Sequence, residues 1–263
     1  MADHHLADIV PKRIIARLDV KNGRVVKGMM MEGVQPVGDP LELSQRYYTQ
    51  GADELVLLDT VASLYKRLEL HDIISEIVKG VFVPVCAGGG VTSCYDAEKL
   101  FYSGADKICV NTGVIRNPEL LKELSDEFGS QSIVLQLDAR FLNGQYHIFY
   151  NTGRDLSELD AAEWLRIAQD KGIGEVLVTS IEKDGTGKGP DINLINFVQE
   201  HVSVPIIYGG GISNTGHVEA VLSCDAVSGV VLASYLHVEN AVITTIKASL
   251  QHSDILIRED IVL

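Results

Sequence analysis

The chain has no apolar run approaching the roughly 18 residues needed to span a bilayer, so no segment reads as a membrane anchor. Its opening, Met1-Ala2-Asp3-His4-His5, lacks the apolar stretch of a secretory signal. Cysteine is scarce: Cys86, Cys94, Cys109 and Cys224 make no CxxC pair. Isolated thiols of this kind suit small buried residues in a reducing compartment. We therefore expect a cytoplasmic protein with no disulfide, no metal site and no cofactor. Positive charge is also in deficit, with 22 Lys and Arg against 36 Asp and Glu and a net charge of −14. That balance excludes a general nucleic-acid surface, which needs clustered cations. A phosphate group would have to be held by local geometry instead.

What the chain does have is a repeat. Val81-Phe82-Val83-Pro84-Val85-Cys86-Ala87-Gly88-Gly89-Gly90-Val91 returns as Val202-Ser203-Val204-Pro205-Ile206-Ile207-Tyr208-Gly209-Gly210-Gly211-Ile212, an offset of 121 from 81 to 202. Gly51–Asp59 matches Gly172–Ser180 at the same offset. A fixed offset across separate segments points to a duplicated half. Eight β-branched, apolar runs read as strands: Arg13–Val20, Glu54–Asp59, Val83–Ala87, Lys107–Asn111, Ile133–Asp138, Glu175–Ser180, Pro205–Tyr208 and Gly229–Ala233. Longer amphipathic stretches between them read as helices, with Asp39-Pro40 and Asn117-Pro118-Glu119 as start signals. Asn143-Gly144 before Tyr146–Tyr150 predicts a small hairpin arm above the mouth. The expected fold is α/β, a single (β/α)₈ barrel of 263 residues with half-barrels at about 12–130 and 131–250. An open doubly wound sheet is the weaker alternative, since it usually has fewer strands and no half-repeat.

Ligands of such barrels bind at the C-terminal ends of the strands. Gly90 and Gly211, each closing a glycine triplet, fall there and can aim backbone N–H groups at an anion. An isolated triplet is more often a tight turn. Here each is followed one β-α unit later by small polar residues, Asn111-Thr112 and Ala233-Ser234. Two equivalent cradles across one mouth imply a small molecule with two phosphates. Asp19 and Asp138 end corresponding strands of the two halves, where one carboxyl can deliver a proton and the other remove one. Asp59, Asp184 and Gly185 are expected near the mouth, positioning loops or ligand hydroxyls. Lys27, in the loop after Gly23–Val26, either reaches a phosphate or is a solvated surface lysine. At the opposite end, Arg13, Glu54, Lys107 and Glu175 begin strands 1, 2, 4 and 6. They predict a ring of two basic and two acidic groups, either a stabilising network or a gate for something small.

The segments Ile14-Ile15-Ala16-x-Leu18-Asp19-Val20-Lys21, Gly104-Ala105-Asp106-Lys107, Asn111-Thr112, Phe128-Gly129-Ser130-Gln131 and Thr179-Ser180-Ile181-x-x-Asp184-Gly185-Thr186 resemble the cyclase subunit of imidazole glycerol phosphate synthase. The resemblance runs in order from about Lys12 to about Leu250. It implies a glutaminase partner docked on the N-terminal face of the barrel, with ammonia passing the gate of Arg13, Glu54, Lys107 and Glu175. Ammonia would then attack a bis-phosphorylated ribulosyl-formimino aminoimidazole carboxamide ribonucleotide, with Asp19 and Asp138 as the acid/base pair. The products implied are imidazole glycerol phosphate and the aminoimidazole carboxamide ribonucleotide, a step of histidine biosynthesis.

The chain also departs from that pattern. Arg17 stands where the family has Cys, Gly153-Arg154-Asp155-Leu156-Ser157-Glu158 reads as replacing a Lys-x-Thr-Gly loop, and Met29-Met30-Met31-Glu32 replaces a Thr-Asn-Phe-like segment. These changes fall in substrate loops. They keep open a related role, delivering ammonia to amidate a surface-polysaccharide sugar, and a third reading as a silent scaffold for a glutaminase. Retention of both aspartates counts against the scaffold. The isomerase relative of the same pathway ranks lower because it needs no ammonia gate.

Overall fold

A computed structural model describes residues 10–62 and 70–258; the opening Met1–His5 lies outside them. The strands are β1 (Arg13–Lys21), β2 (Arg24–Met29), β3 (Glu32–Gly38), β4 (Glu54–Asp59), β5 (Val85–Gly88), β6 (Lys107–Val110), β7 (Ile133–Leu142), β8 (Gln145–Tyr150), β9 (Asp155–Asp160), β10 (Glu175–Ser180), β11 (Ile206–Gly209) and β12 (Val227–Leu232). Eight of them pair in parallel, in the order β1, β4, β5, β6, β7, β10, β11, β12 and back to β1. The ring is therefore closed, and helices lie between its strands. Each predicted strand is present and begins within two residues of its expected start.

Closure buries these strands on both faces, which is why they read as nearly continuous apolar runs. All six residues of β4 and all six of β10 are buried. Successive side chains alternate between two cores. Ile15, Val56, Leu58, Cys86, Cys109, Val134, Leu177, Ile207 and Val231 form a separate cluster inside the bore. Ile14, Leu55, Leu57, Val176 and Val178 point outward into the larger core under the helices. The first helix, α1 (Pro40–Thr49), starts as predicted, with the Asp39 carboxylate accepting from the Leu41 and Glu42 N–H groups at 3.0 and 3.3 Å. At the second signal, Pro118 takes the cap position itself, immediately before the helix Glu119–Phe128.

Two hairpins rise from the mouth. Beyond Asp138, β7 continues to Leu142 and pairs with β8, the predicted arm, which in turn pairs with β9. Strands β2 and β3 form the other hairpin on the end of β1. This corrects two sequence readings: Lys27 lies on a strand rather than in a loop, and Asp155–Glu158 belong to β9. Strand β9 is largely exposed and polar, and β2 buries only the short pair Val25-Val26, so neither carries a long apolar run. All four cysteines are free. Among the described residues no helix is long and apolar enough to cross a membrane.

The bore cluster is small and fully enclosed, so a truncation there leaves a void that its neighbours cannot fill. Leu177→Ala is expected to cost about 2–5 kcal/mol of unfolding free energy, read from urea melts. A loss below about 1 kcal/mol would mean that the bore is not packed as described.

Candidate active site

The mouth is built from the last inward positions of the strands. Asp19 on β1 and Asp138 on β7 are both buried there. Two residues before Asp19, and on the same face of β1, comes Arg17. Its Nε donates to Asp19 Oδ1 at 2.8 Å and its Nη1 to Thr179 Oγ1 at 3.2 Å. Two residues before Asp138 comes Gln136, whose Nε2 donates to both Asp138 oxygens at 3.0 and 2.9 Å.

These surroundings drive the two acids apart. Burial pushes both carboxyls up. At Asp19 the charges of Arg17 and Lys27 and the Arg17 hydrogen bond outweigh burial, so the group stays below the usual carboxylate range. At Asp138 burial prevails over Arg17 and Gln136, with repulsion from Asp19 and Asp184 added, and the carboxyl is pushed up to about 6. Arg17 itself is penalised by burial, but the charges of Asp19, Asp138 and Asp184 more than compensate and raise it further. His237 lies behind this group, with its Nε2 2.9 Å from the Arg17 carbonyl and its Nδ1 2.6 Å from the Tyr47 hydroxyl. Burial lowers the imidazole to about 4, so it is neutral near pH 7.

Two cavities flank the acids. The first is lined by Gly90, Asn111, Thr112, Arg116, Thr152 and Asp138, among others. The second is lined by Arg17, Thr179, Asp184, Gly185, Gly211, Ala233 and Ser234, among others. Their backbones match closely. Gly89 and Gly90 have φ of 105 and 76°, and Gly210 and Gly211 have 113 and 78°, a region that favours glycine. A Cβ on Gly211 would also lie 2.2 Å from the Gly189 carbonyl oxygen. Asn111 (φ −141°, ψ −83°) and Ala233 (φ −129°, ψ −82°) each lead into a short helix with no side-chain cap. Uncapped first-turn N–H groups leave donors for an anion.

Of the residues proposed from sequence for substrate, only Lys27 lines neither cavity. Its ammonium is buried against Asp184 Oδ1 at 2.6 Å, which corrects the solvated reading. Asp184 also accepts from the Met31 N–H at 3.2 Å, so this pair ties the β2–β3 hairpin to the loop after β10. The Asn111 side chain is spent on the framework, donating to the Gln136 and Phe149 carbonyls at 3.1 and 3.2 Å. Thr112 Oγ1 accepts from the Asn151 N–H at 3.0 Å. Asp59 accepts from the Val61 and Ala62 N–H groups, both at 2.8 Å, and shapes its own loop. Sequence reasoning missed Gln136 and Thr179, although period-two spacing from Asp138 and from Glu175 points both inward. For Arg116, Thr152 and His237 the sequence carries no comparable signal.

The far end of the bore is closed by charge. Arg13 Nη1 donates to Glu54 Oε2 at 2.6 Å, and Arg13 is also paired with Glu175. Lys107 Nζ reaches Glu54 at 3.0 Å and Glu175 at 3.1 Å, which completes the predicted four-membered ring.

Residues 13–241 match the family model described as "Histidine biosynthesis protein". The imidazole glycerol phosphate synthase subunit HisF of Bacillus cereus (strain G9842) is 39% identical over 251 residues, covering 95% of this chain and 100% of that protein. The HisF subunit of Legionella pneumophila is 44% identical over 200 residues, or 76% of this chain and 94% of the relative. That of Nitrosopumilus maritimus (strain SCM1) is 40% identical over 265 residues, covering 95% and 100%. With a closed barrel, two matched cradles and relatives aligned over nearly their full length, the chain belongs to the histidine biosynthesis protein family, among the HisF subunits of imidazole glycerol phosphate synthase.

Proposed function

We propose that this chain is the ammonia-dependent cyclase subunit of imidazole glycerol phosphate synthase, acting in histidine biosynthesis. Its substrate is the bis-phosphorylated ribulosyl-formimino aminoimidazole carboxamide ribonucleotide, held with one phosphate in each cradle. The observation that carries this reading is the pair of buried acids with oppositely displaced pKa values, set between two cradles of the same backbone shape. Divergent environments of this kind assign acid and base roles. Nitrogen gains positive charge as ammonia bonds to carbon and must lose a proton, while the departing nitrogen must gain one. Asp19, held ionised, suits the acceptor, and Asp138, which keeps its proton up to about pH 6, suits the donor. The relatives are named as subunits, and a glutaminase docked at the N-terminal face would feed ammonia through the ring of Arg13, Glu54, Lys107 and Glu175. Because the HisF name recurs among relatives from several genera, sugar amidation is not favoured.

Turnover of that intermediate by purified protein in excess ammonium salt tests the reading directly. Asp19→Asn is expected to lower kcat by about 10²–10⁴-fold; a variant retaining more than a tenth of wild-type turnover would remove Asp19 from the mechanism. For the ring, Lys107→Met is expected to cut glutamine-driven turnover of the reconstituted complex tenfold or more while leaving ammonium-driven turnover within twofold. Equal losses in both assays would make the ring structural only.

Asp138 also makes a stability prediction. A free carboxyl titrates near 3.9, so the folded protein holds this proton more tightly than the unfolded chain does. Stability then falls as pH rises from about 4 to about 6, and a penalty on the order of 3 kcal/mol is fully present at pH 7. Asp138→Asn removes the penalty. Its melting temperature should exceed the wild-type value at pH 7 and lose that advantage at pH 4; a constant difference across this range would show that Asp138 has an ordinary pKa.

A further inference from the structure

Arg17 carries a role that pairing with Asp19 does not exhaust. A guanidinium has five N–H donors. Two of the five in Arg17 are used, by Asp19 and Thr179, which leaves three without a hydrogen-bond partner among the described residues. The side chain is nevertheless buried, with only 8% of the residue exposed. Leaving charged donors unpaired in such a place is costly. Arg17 is not among the side chains whose unpartnered polar atoms are sealed inside protein, and it lines the second cavity beside Gly210, Gly211, Ala233 and Ser234. The unpartnered Nη2 is therefore not sealed in protein, and the guanidinium borders the cradle.

The cradle's other walls offer backbone N–H groups and no further cationic side chain. Lys27, the nearby ammonium on β2, is already committed to Asp184. We propose that Arg17 is a substrate-contacting specificity residue, its guanidinium binding a phosphate-monoester oxygen held in the second cradle while its Nε stays on Asp19. This rests on the two-phosphate reading given above and deepens it. A guanidinium suits the task because its planar fork presents paired donors to phosphoryl oxygens, and it remains charged when buried. The two cradles then differ in kind. In the first the cation is Arg116, exposed on the outer helix Thr112–Arg116, whereas in the second it rises from the bore and touches the acid. A substrate with unlike ends is thereby given one orientation.

The test is titration of inorganic phosphate into the ¹⁵N-labelled full chain, following the Gly90 and Thr112 amides for the first cradle and those of Gly211 and Ser234 for the second. The wild-type protein is expected to respond at both. Arg17→Met should raise the second-cradle Kd tenfold or more and leave the first within twofold. Arg17→Gln, which keeps a donor for Asp19 without the charge, should do the same and serves alone if the methionine variant does not fold. An unchanged second-cradle Kd in a folded variant would make Arg17 a structural partner of Asp19, and equal weakening at both cradles would reduce it to a change in net charge; either result overturns the proposal. Response at the first cradle alone in the wild-type protein overturns it as well. Silence at both cradles would instead bring down the two-phosphate reading, and this proposal with it.

Discussion

Strand side chains alternate, and in a closed barrel alternation fixes the chemistry of the whole axis. Along β1 the inward residues are Arg13, Ile15, Arg17 and Asp19, and the outward ones are Ile14, Ala16, Leu18 and Val20. One strand thus supplies a member of the charged ring, a member of the apolar bore, the buried cation and the acid, two residues apart each time. On β10 Glu175, Leu177 and Thr179 follow the same order from ring to bore to mouth. A one-residue slip in register would send every one of these groups into the apolar layer under the helices. The active site is therefore as strongly specified as the core, because the same pattern specifies both.

The apolar bore between the two charged ends sets their electrostatics. Both ends are largely withdrawn from water, so each ion must find partners nearby. At the ring, burial alone would lower Arg13 and Lys107, yet the charges of Glu54 and Glu175 outweigh it and leave both raised. At the mouth Asp138 is held by hydrogen bonds from Gln136 and Asn111, and among the described residues it makes no direct ion pair. Its raised pKa comes first from burial, with repulsion from Asp19 and Asp184 added. A chain with a net charge of −14 would hold phosphate, as proposed, through backbone N–H groups and a few placed cations rather than through the overall field.

Much of this was legible in the sequence. Strands buried on both faces announce themselves as apolar runs, and the glycine triplets and paired aspartates recur at nearly constant offsets. The hairpin β2–β3 and strand β9 were not legible, since strands with at most two buried apolar residues in a row carry little pattern, and Lys27 was misplaced with them. Its partner Asp184 lies 157 positions away, a separation that no local signal bridges. Arg17 stood out as an unusual residue, and the spacing of two from Asp19 already implied a shared face. The displacement of Asp138 was beyond reach, because it sums burial and charges contributed by several strands.

The two cradles put the remaining asymmetry in view. Their glycines and the residues Asn111 and Ala233 repeat almost the same backbone angles, so the framework alone would treat the two ends of a ligand alike. The side chains differ. Asn111 is bound into β7 and β8 and approaches Asp138, whereas Ala233 offers no side-chain donor, and the cation near it is Arg17, bonded to Asp19. Each acid is thus coupled to a different cradle, one through an amide and the other through a guanidinium. The amide leaves its carboxyl protonatable, and the guanidinium keeps its carboxyl ionised. If Asp138 donates and Asp19 accepts, as proposed, the division of labour follows from which neighbour each half of the barrel contributes.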